Sequence, residues 1–336
     1  MTLAPRIQTT VVGSYPTPKW LSDSPSHENI ERATKEVLNV QEEAGLDLVC
    51  DGEMYRFDPS HPETNGMIEF FIRPMEGIRM QLTDSEIADF RSIPGMEFRR
   101  IPAGIVDGPV GAGTLDLKSA CDRINQLATK PTKFTLTGPH MLAKTIPNTY
   151  YKDKREVTMA IATALAEQVA TLDADVIQLD EANLPGHPDE WEWALEAINI
   201  MLDAVKTTPA VHLCFGNYAG KRVQDGTWDA MIQYFNGLHA DHLVLETKKR
   251  PDDEIHVLKE VDERVGLGIG VVDIKTHTVE SADEIARDLE RIEKAVGIGR
   301  VKYIHPDCGF WMLDKATSDA KIAALVKGRD LYLGLS

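Results

Sequence analysis

Cysteine is scarce in this chain. Four in 336 residues, Cys50, Cys121, Cys214 and Cys308, are too few and too widely spaced for a disulfide scaffold, which leaves metal binding or catalysis as thiol roles. Basic residues are also short: 36 Lys and Arg stand against 53 Asp and Glu, giving a net charge of −17 that repels phosphate backbones and anionic lipid surfaces. Neither nucleic acid nor a membrane is expected as a partner. No run approaches the roughly 18 apolar residues of a spanning helix, and Met1-Thr2-Leu3-Ala4-Pro5-Arg6 does not lead into a signal-peptide core. The expected location is therefore cytoplasmic. Nucleotide signatures are missing as well: no G-x-G-x-x-G follows the first strand-like segment and no G-x-x-x-x-G-K-[ST] occurs, which weighs against an open doubly wound sheet. Gly266-Leu267-Gly268-Ile269-Gly270 lies inside a strand pattern, where glycines let a strand pack closely. There is no internal repeat and no low-complexity tract.

What is present is an α/β rhythm. Hydrophobic residues at 43% and charged residues at 26% are ordinary for a globular chain with a large core, and one α/β barrel uses about 250 residues. Gln8 to Ser14 reads as a strand ending in a Gly-Ser-Tyr-Pro turn, 28–44 as an amphipathic helix stopped at Gly45, and 46–50 as a second strand ending in Asp51-Gly52-Glu53. Segment 54–98 has no βα rhythm and carries Pro59, Pro62, Pro74 and Pro94; a connection this long is expected to be a lid or binding loop. Strands follow at 133–137, 174–181, 209–214, 241–246, 266–273 and 301–306, separated by helical patterns. With 103–107 the candidate strands number nine where a closed barrel needs eight, so 103–107 is demoted to a hairpin or extra strand. The expected fold is a single (β/α)8 TIM-type barrel over 1–336, with a lid-like insertion at 54–98 after strand 2.

The chain is organised around Val211-His212-Leu213-Cys214-Phe215-Gly216. Side chains alternate faces along a strand, so His212 and Cys214 project the same way. Glu246 closes the run 241–246 and Cys308 follows 301–307, so three neighbouring strand ends offer one imidazole, two thiols and one carboxylate at the end that carries barrel active sites. That donor set suits tetrahedral Zn²⁺. Taken alone, an H-x-C strand also fits a packed core histidine beside a buried cysteine. Asp51-Gly52-Glu53 and Asp180-Glu181 place further acids at strand ends, as turn residues or substrate contacts.

Collected in order, Val12-Gly13-Ser14-Tyr15-Pro16, Asp51-Gly52-Glu53, Leu136-Thr137-Gly138-Pro139, Ile177-Gln178-Leu179-Asp180-Glu181, His212-Leu213-Cys214, Glu246 and Pro306-Asp307-Cys308-Gly309 resemble the C-terminal catalytic barrel of the cobalamin-independent methionine synthase family. The resemblance spans nearly the whole chain. It implies that His212, Cys214, Glu246 and Cys308 bind zinc, and that Ser14, Glu53 and Asp180 hold homocysteine, the acids facing its ammonium. It also implies that the N-terminal barrel of full-length members has no counterpart here. Three positions depart from the family. Its folate-stacking tryptophan falls near Lys144, its acid after the Asp-Glu pair falls near Gly186, and its proton-donating histidine corresponds to Lys275, with His277 two residues on.

The activity implied is methyl or alkyl transfer to a thiol, homocysteine giving methionine, through a zinc-bound thiolate. Thiol addition to another electrophile, as in epoxyalkane:coenzyme M transferases, and a non-catalytic zinc or thiol-binding protein are the alternatives. Glu53 and Asp180 would repel the sulfonate of coenzyme M, which favours an amino-acid thiol. For the donor, folate polyglutamate fits poorly with Lys144, Lys275 and the net charge of −17. A methylcobalamin carried by a corrinoid protein partner, or a small activated methyl compound, is expected instead.

Overall fold

The structure, a computed structural model, describes residues 6–58, 66–93, 101–216 and 225–335. The described strands are β1 (Gln8–Thr9), β2 (Glu76–Arg79), β3 (Ile105–Gly111), β4 (Lys133–Thr137), β5 (Val176–Asp180), β6 (Thr208–Leu213), β7 (His242–Leu245), β8 (Gly266–Val272) and β9 (Val301–Pro306). All but β2 and β3 form one parallel sheet in the order β1-β9-β8-β7-β6-β5-β4. Its two edges meet through segment 46–50. The amides of Asp47 and Leu48 reach the Thr9 carbonyl at 3.2 Å, Val49 bridges Thr132 in parallel, and the Lys133 amide reaches the Val49 carbonyl at 2.7 Å. With that segment counted, the barrel has its eight staves.

Segment 46–50 is expected as a full strand and forms only this bridge. The backbone of Cys50 turns instead to the buried side chain of Gln41, donating to its oxygen at 2.9 Å and accepting from its nitrogen at 2.8 Å. Segment 8–14 likewise keeps only two ladder residues before its turn. The extra strand at 103–107 pairs outside the barrel, as β3 running antiparallel to β2.

Helices cover the outside because their apolar residues repeat at helical spacing. In Ala282–Val296, Ile285, Leu289, Ile292 and Val296 form one buried face, and Ser281 with Glu284 closes a capping box at its start. Each such side chain stabilises the fold by about 1.5–3 kcal/mol on burial. Helix His27–Ala44 starts at Ser26, whose side chain accepts the Asn29 amide, and stops at Gly45, where φ is 88°. Among the described residues no helix is long and apolar enough to cross a membrane.

The insertion expected as an extended loop holds regular structure where it is described. Helix Glu69–Ile72, β2 and helix Asp84–Arg91 follow one another, with Phe71, Ile72 and Phe90 buried. The insertion escapes a βα reading because β2 pairs with β3 in a two-stranded sheet outside the barrel. The Met67 carbonyl accepts the Thr137 hydroxyl at 2.6 Å, which sets the insertion against the C-terminal end of β4. Residues 59–65 and 94–98 of the insertion, with Pro59, Pro62 and Pro94, lie outside the described residues.

Candidate active site

The strand ends bring the thiols and the imidazole together. His212 on β6 and Cys214 just beyond it share a face, and Cys308 lies two residues past β9. The Cys308 sulfur is 3.7 Å from the Cys214 sulfur and 3.8 Å from His212 Nε2, and the donor atoms of all three residues fall within 4.8 Å of one another. Tetrahedral zinc with Zn–S bonds of about 2.3 Å separates two sulfurs by about 3.8 Å, so the spacing fits such an ion. The imidazole is oriented for the same role. Its Nδ1 lies 2.8 Å from the Val244 carbonyl, which can only accept, so the proton sits on Nδ1 and the Nε2 lone pair faces the thiols. The hydrogen bond between the two cysteines holds the Cys308 thiol well below its usual range and pushes Cys214 well up.

Glu246, which follows β7 directly, is held on the edge of this group. Its Oε1 is 2.6 Å from Lys275 Nζ, and its Oε2 accepts the Phe215 amide at 3.1 Å. Burial pulls the Lys275 pKa down, yet Glu246 more than offsets this and the net shift is upward, the wrong direction for a neutral-pH proton donor. His277 stands on the surface, its side chain 70% exposed and its Nδ1 2.9 Å from Asp314. The loop after Glu246 is anchored by Asp307, whose Oδ1 accepts the amides of Thr247 and Lys248 at 2.9 Å each. That carboxylate fits only because position 270 is glycine: a Cβ there would collide with Asp307 Oδ1.

The acids form a second cluster beside the first. Asp180 ends β5 in register with His212 on β6, which sets the two clusters side by side. Glu53 is the only non-glycine residue with positive φ among those described, at 62°, a conformation that costs on the order of 1 kcal/mol. Asp51 accepts the Glu53 amide at 2.8 Å and holds this turn. Gly13 leaves room for the resulting carboxylate, since a Cβ there would meet Glu53 Oε1. Between the acids lies Arg56, which sequence reading passed over. Its guanidinium is buried, 3.1 Å from Glu53 and 3.6 Å from Asp180, and it donates to Thr135 at 2.9 Å. Burial pushes Glu53 up to about 7 despite Arg56, and burial raises Asp180 as well. Ionised, the two carboxylates and one guanidinium leave a single negative charge, the complement of one ammonium.

Ser14 completes the rim. Its carbonyl accepts the Phe310 amide at 2.8 Å, and a Cβ on Gly309 would strike its hydroxyl, so Ser14 touches the turn that carries Cys308. Of the paired acids, only Asp180 points into the barrel. Glu181 faces outward and accepts the amides of His140 and Met141 at 2.9 and 3.0 Å, as strand alternation requires. Gln178, two residues before Asp180, points inward with it, donating to Asp180 at 2.8 Å and accepting from buried Lys133 at 2.9 Å. Lys144 is ion-paired with Glu190 at 3.1 Å, and Glu190 also lies 2.6 Å from His140 Nε2.

The family model described as the catalytic domain of cobalamin-independent synthase matches residues 7–330. A methionine synthase of Sulfurisphaera tokodaii is 27% identical over 96% of this chain and 92% of its own length, and one of Thermococcus kodakarensis is 28% identical over 97% and 94%. Among solved structures, a B12-independent methionine synthase from Shewanella sp. W3-18-1, in complex with selenomethionine, superposes with a TM-score of 0.82 at 24% identity, covering 97% of each chain. With the match running from the first barrel strand to the last helix, this chain belongs to the cobalamin-independent methionine synthase family, on its catalytic barrel.

Proposed function

We propose that this protein is a zinc-dependent methyltransferase that transfers a methyl group to the thiol of homocysteine, giving methionine. The observation that carries the reading is adjacency: a His-Cys-Cys group spaced for zinc lies beside an acid cluster short of one positive charge, joined through the Asp180 and His212 register. His212, Cys214 and Cys308 would hold the ion, and Glu246, hydrogen-bonded to the amide that follows Cys214, would be the fourth ligand. Zinc there would keep a bound thiol in its nucleophilic thiolate form near neutral pH. Glu53 and Asp180 would pair with the substrate ammonium while Arg56 keeps them from repelling each other, and Ser14 would meet the rest of the amino-acid head.

The donor we propose is methylcobalamin, free or on a corrinoid protein partner, or another activated methyl compound, in place of folate polyglutamate. The Lys144–Glu190 ion pair stands near the position where the family stacks a pterin, and a net charge of −17 disfavours a polyanionic tail. Methionine formation from homocysteine would be measured with methylcobalamin and with methyltetrahydrofolate triglutamate. Turnover with methylcobalamin is expected; efficient turnover with the folate alone sinks the donor assignment. No zinc-dependent product with any donor or thiol sinks the function.

The acid cluster gives a pH signature. A carboxylate whose pKa is raised to about 7 is neutral below that pH, so kcat/KM for homocysteine should fall as pH drops through 7, by up to about tenfold per pH unit. Glu53→Gln should raise KM by about 10- to 100-fold and flatten that limb, and Asp180→Asn should raise KM similarly, each keeping its zinc. Unchanged KM in both variants would show that the acceptor is not an amino acid.

A further inference from the structure

Lys275 occupies the position where the family resemblance puts a proton-donating histidine, but its ammonium is committed elsewhere. Nζ lies 2.6 Å from Glu246 Oε1 and the side chain is only 20% exposed, while its backbone amide is fixed by Asp273 at 2.8 Å. Glu246 is buried too, with the Phe215 amide on its other oxygen. Its carboxylate is held by the Lys275 ammonium and by the amide next to Cys214, and the ion that His212, Cys214 and Cys308 are spaced to hold would be a second positive claimant on it.

We infer that Lys275 is the positioning residue that makes Glu246 a displaceable metal ligand, holding the carboxylate in a charge-assisted hydrogen bond when a substrate thiolate takes its place. The inference rests on the zinc reading above and deepens it. An expelled carboxylate with no counter-ion in so buried a place is strongly disfavoured, and that penalty would oppose thiol binding directly. Lys275 removes it, because the carboxylate leaves one cation for another already in contact. The exchange would trade a metal–carboxylate bond for a metal–sulfur bond, with the thiol proton passing to solvent. Lys275 keeps its own proton throughout. Asp307 is the other acid facing this pair; its bonds to the amides of Thr247 and Lys248 hold it in place during the exchange.

The test uses the full-length protein with cobalt(II) in place of zinc, titrated with homocysteine while the thiolate-to-cobalt charge-transfer band is followed. Lys275→Met should raise the half-saturating homocysteine concentration at least tenfold, and Lys275→Arg should recover most of the loss. In the Lys275→Met background, Glu246→Gln should bring binding back to within about threefold of wild type, because a neutral amide needs no counter-ion. If Lys275→Met takes up no cobalt, Lys275→Gln carries the same comparison. Wild-type affinity in the Met or Gln variant overturns the role, as does a double variant that binds no better than the single. A wild-type band that does not respond to thiol overturns the zinc–thiol reading itself, a failure visible before any variant is made.

Discussion

Cys308→Ser is expected to lose its zinc and, with it, methyl transfer. The sulfur of Cys308 is in contact with both other donors, at 3.7 Å from Cys214 and 3.8 Å from His212, so its removal takes out the member that ties the group together. A serine hydroxyl stays protonated where a thiol becomes a thiolate and is a poor ligand for zinc. Losing a group that merely orients a ligand costs about 10- to 100-fold in metal affinity, so losing a ligand itself should cost more than about 100-fold. Elemental analysis after dialysis against a mild chelator reads this directly. Cys121→Ser is the control, since that thiol contacts Asp173 and Asn125 away from the strand ends and its variant should keep the metal. Full zinc occupancy in Cys308→Ser would remove Cys308 from the site.

Arg56→Met should be the most destabilising single change in the acid cluster. The guanidinium is buried between Glu53 and Asp180, donates to the Tyr55 hydroxyl at 3.0 Å and to Thr135 at 2.9 Å, and packs 5.2 Å from the Phe71 ring. Deleting one partner from a buried charge network costs about 3–5 kcal/mol. The loss should depend on pH. Without Arg56 the folded-state pKa values of Glu53 and Asp180 rise further above their unfolded values, so the folded chain binds more protons than the unfolded one. Stability of the variant then falls as pH rises through those folded pKa values, and the deficit is largest near pH 8 and shrinks toward pH 5. Urea unfolding of both proteins across this range measures it, and a deficit independent of pH would show that Arg56 acts by packing alone.

The difference in legibility between Cys308 and Arg56 is instructive. The convergence of His212, Cys214 and Cys308 was readable because strand alternation and the shared C-terminal end of parallel strands are short-range rules, and the barrel converts them into proximity. The same alternation was enough to send Asp180 inward and Glu181 outward, although the pair reads at first as a unit. Arg56 was not readable, because its role exists only after barrel closure brings Glu53 and Asp180 to it from separate elements. Segment 46–50 reads as a strand, and nothing local announces that Gln41 takes over the backbone of Cys50. The insertion defeated periodicity for a similar reason: β2 finds its partner in β3, beyond the end of the expected lid. For Lys275 the identity was legible and the consequence was not, since a lysine where the family has a histidine reads as a poor acid until Glu246 is seen against it.

Gly270 takes no part in any step, yet its missing side chain is the socket for Asp307, and Asp307 in turn fixes the turn that follows Glu246. Divergence toward another thiol would therefore run unevenly through this protein. Ser14, on the rim, can be exchanged to suit a new head group, whereas position 270, buried in a strand, tolerates no added atom without loosening the turn after Glu246. Specificity in this barrel is open to gradual change, and the machinery beneath it is locked by an absence.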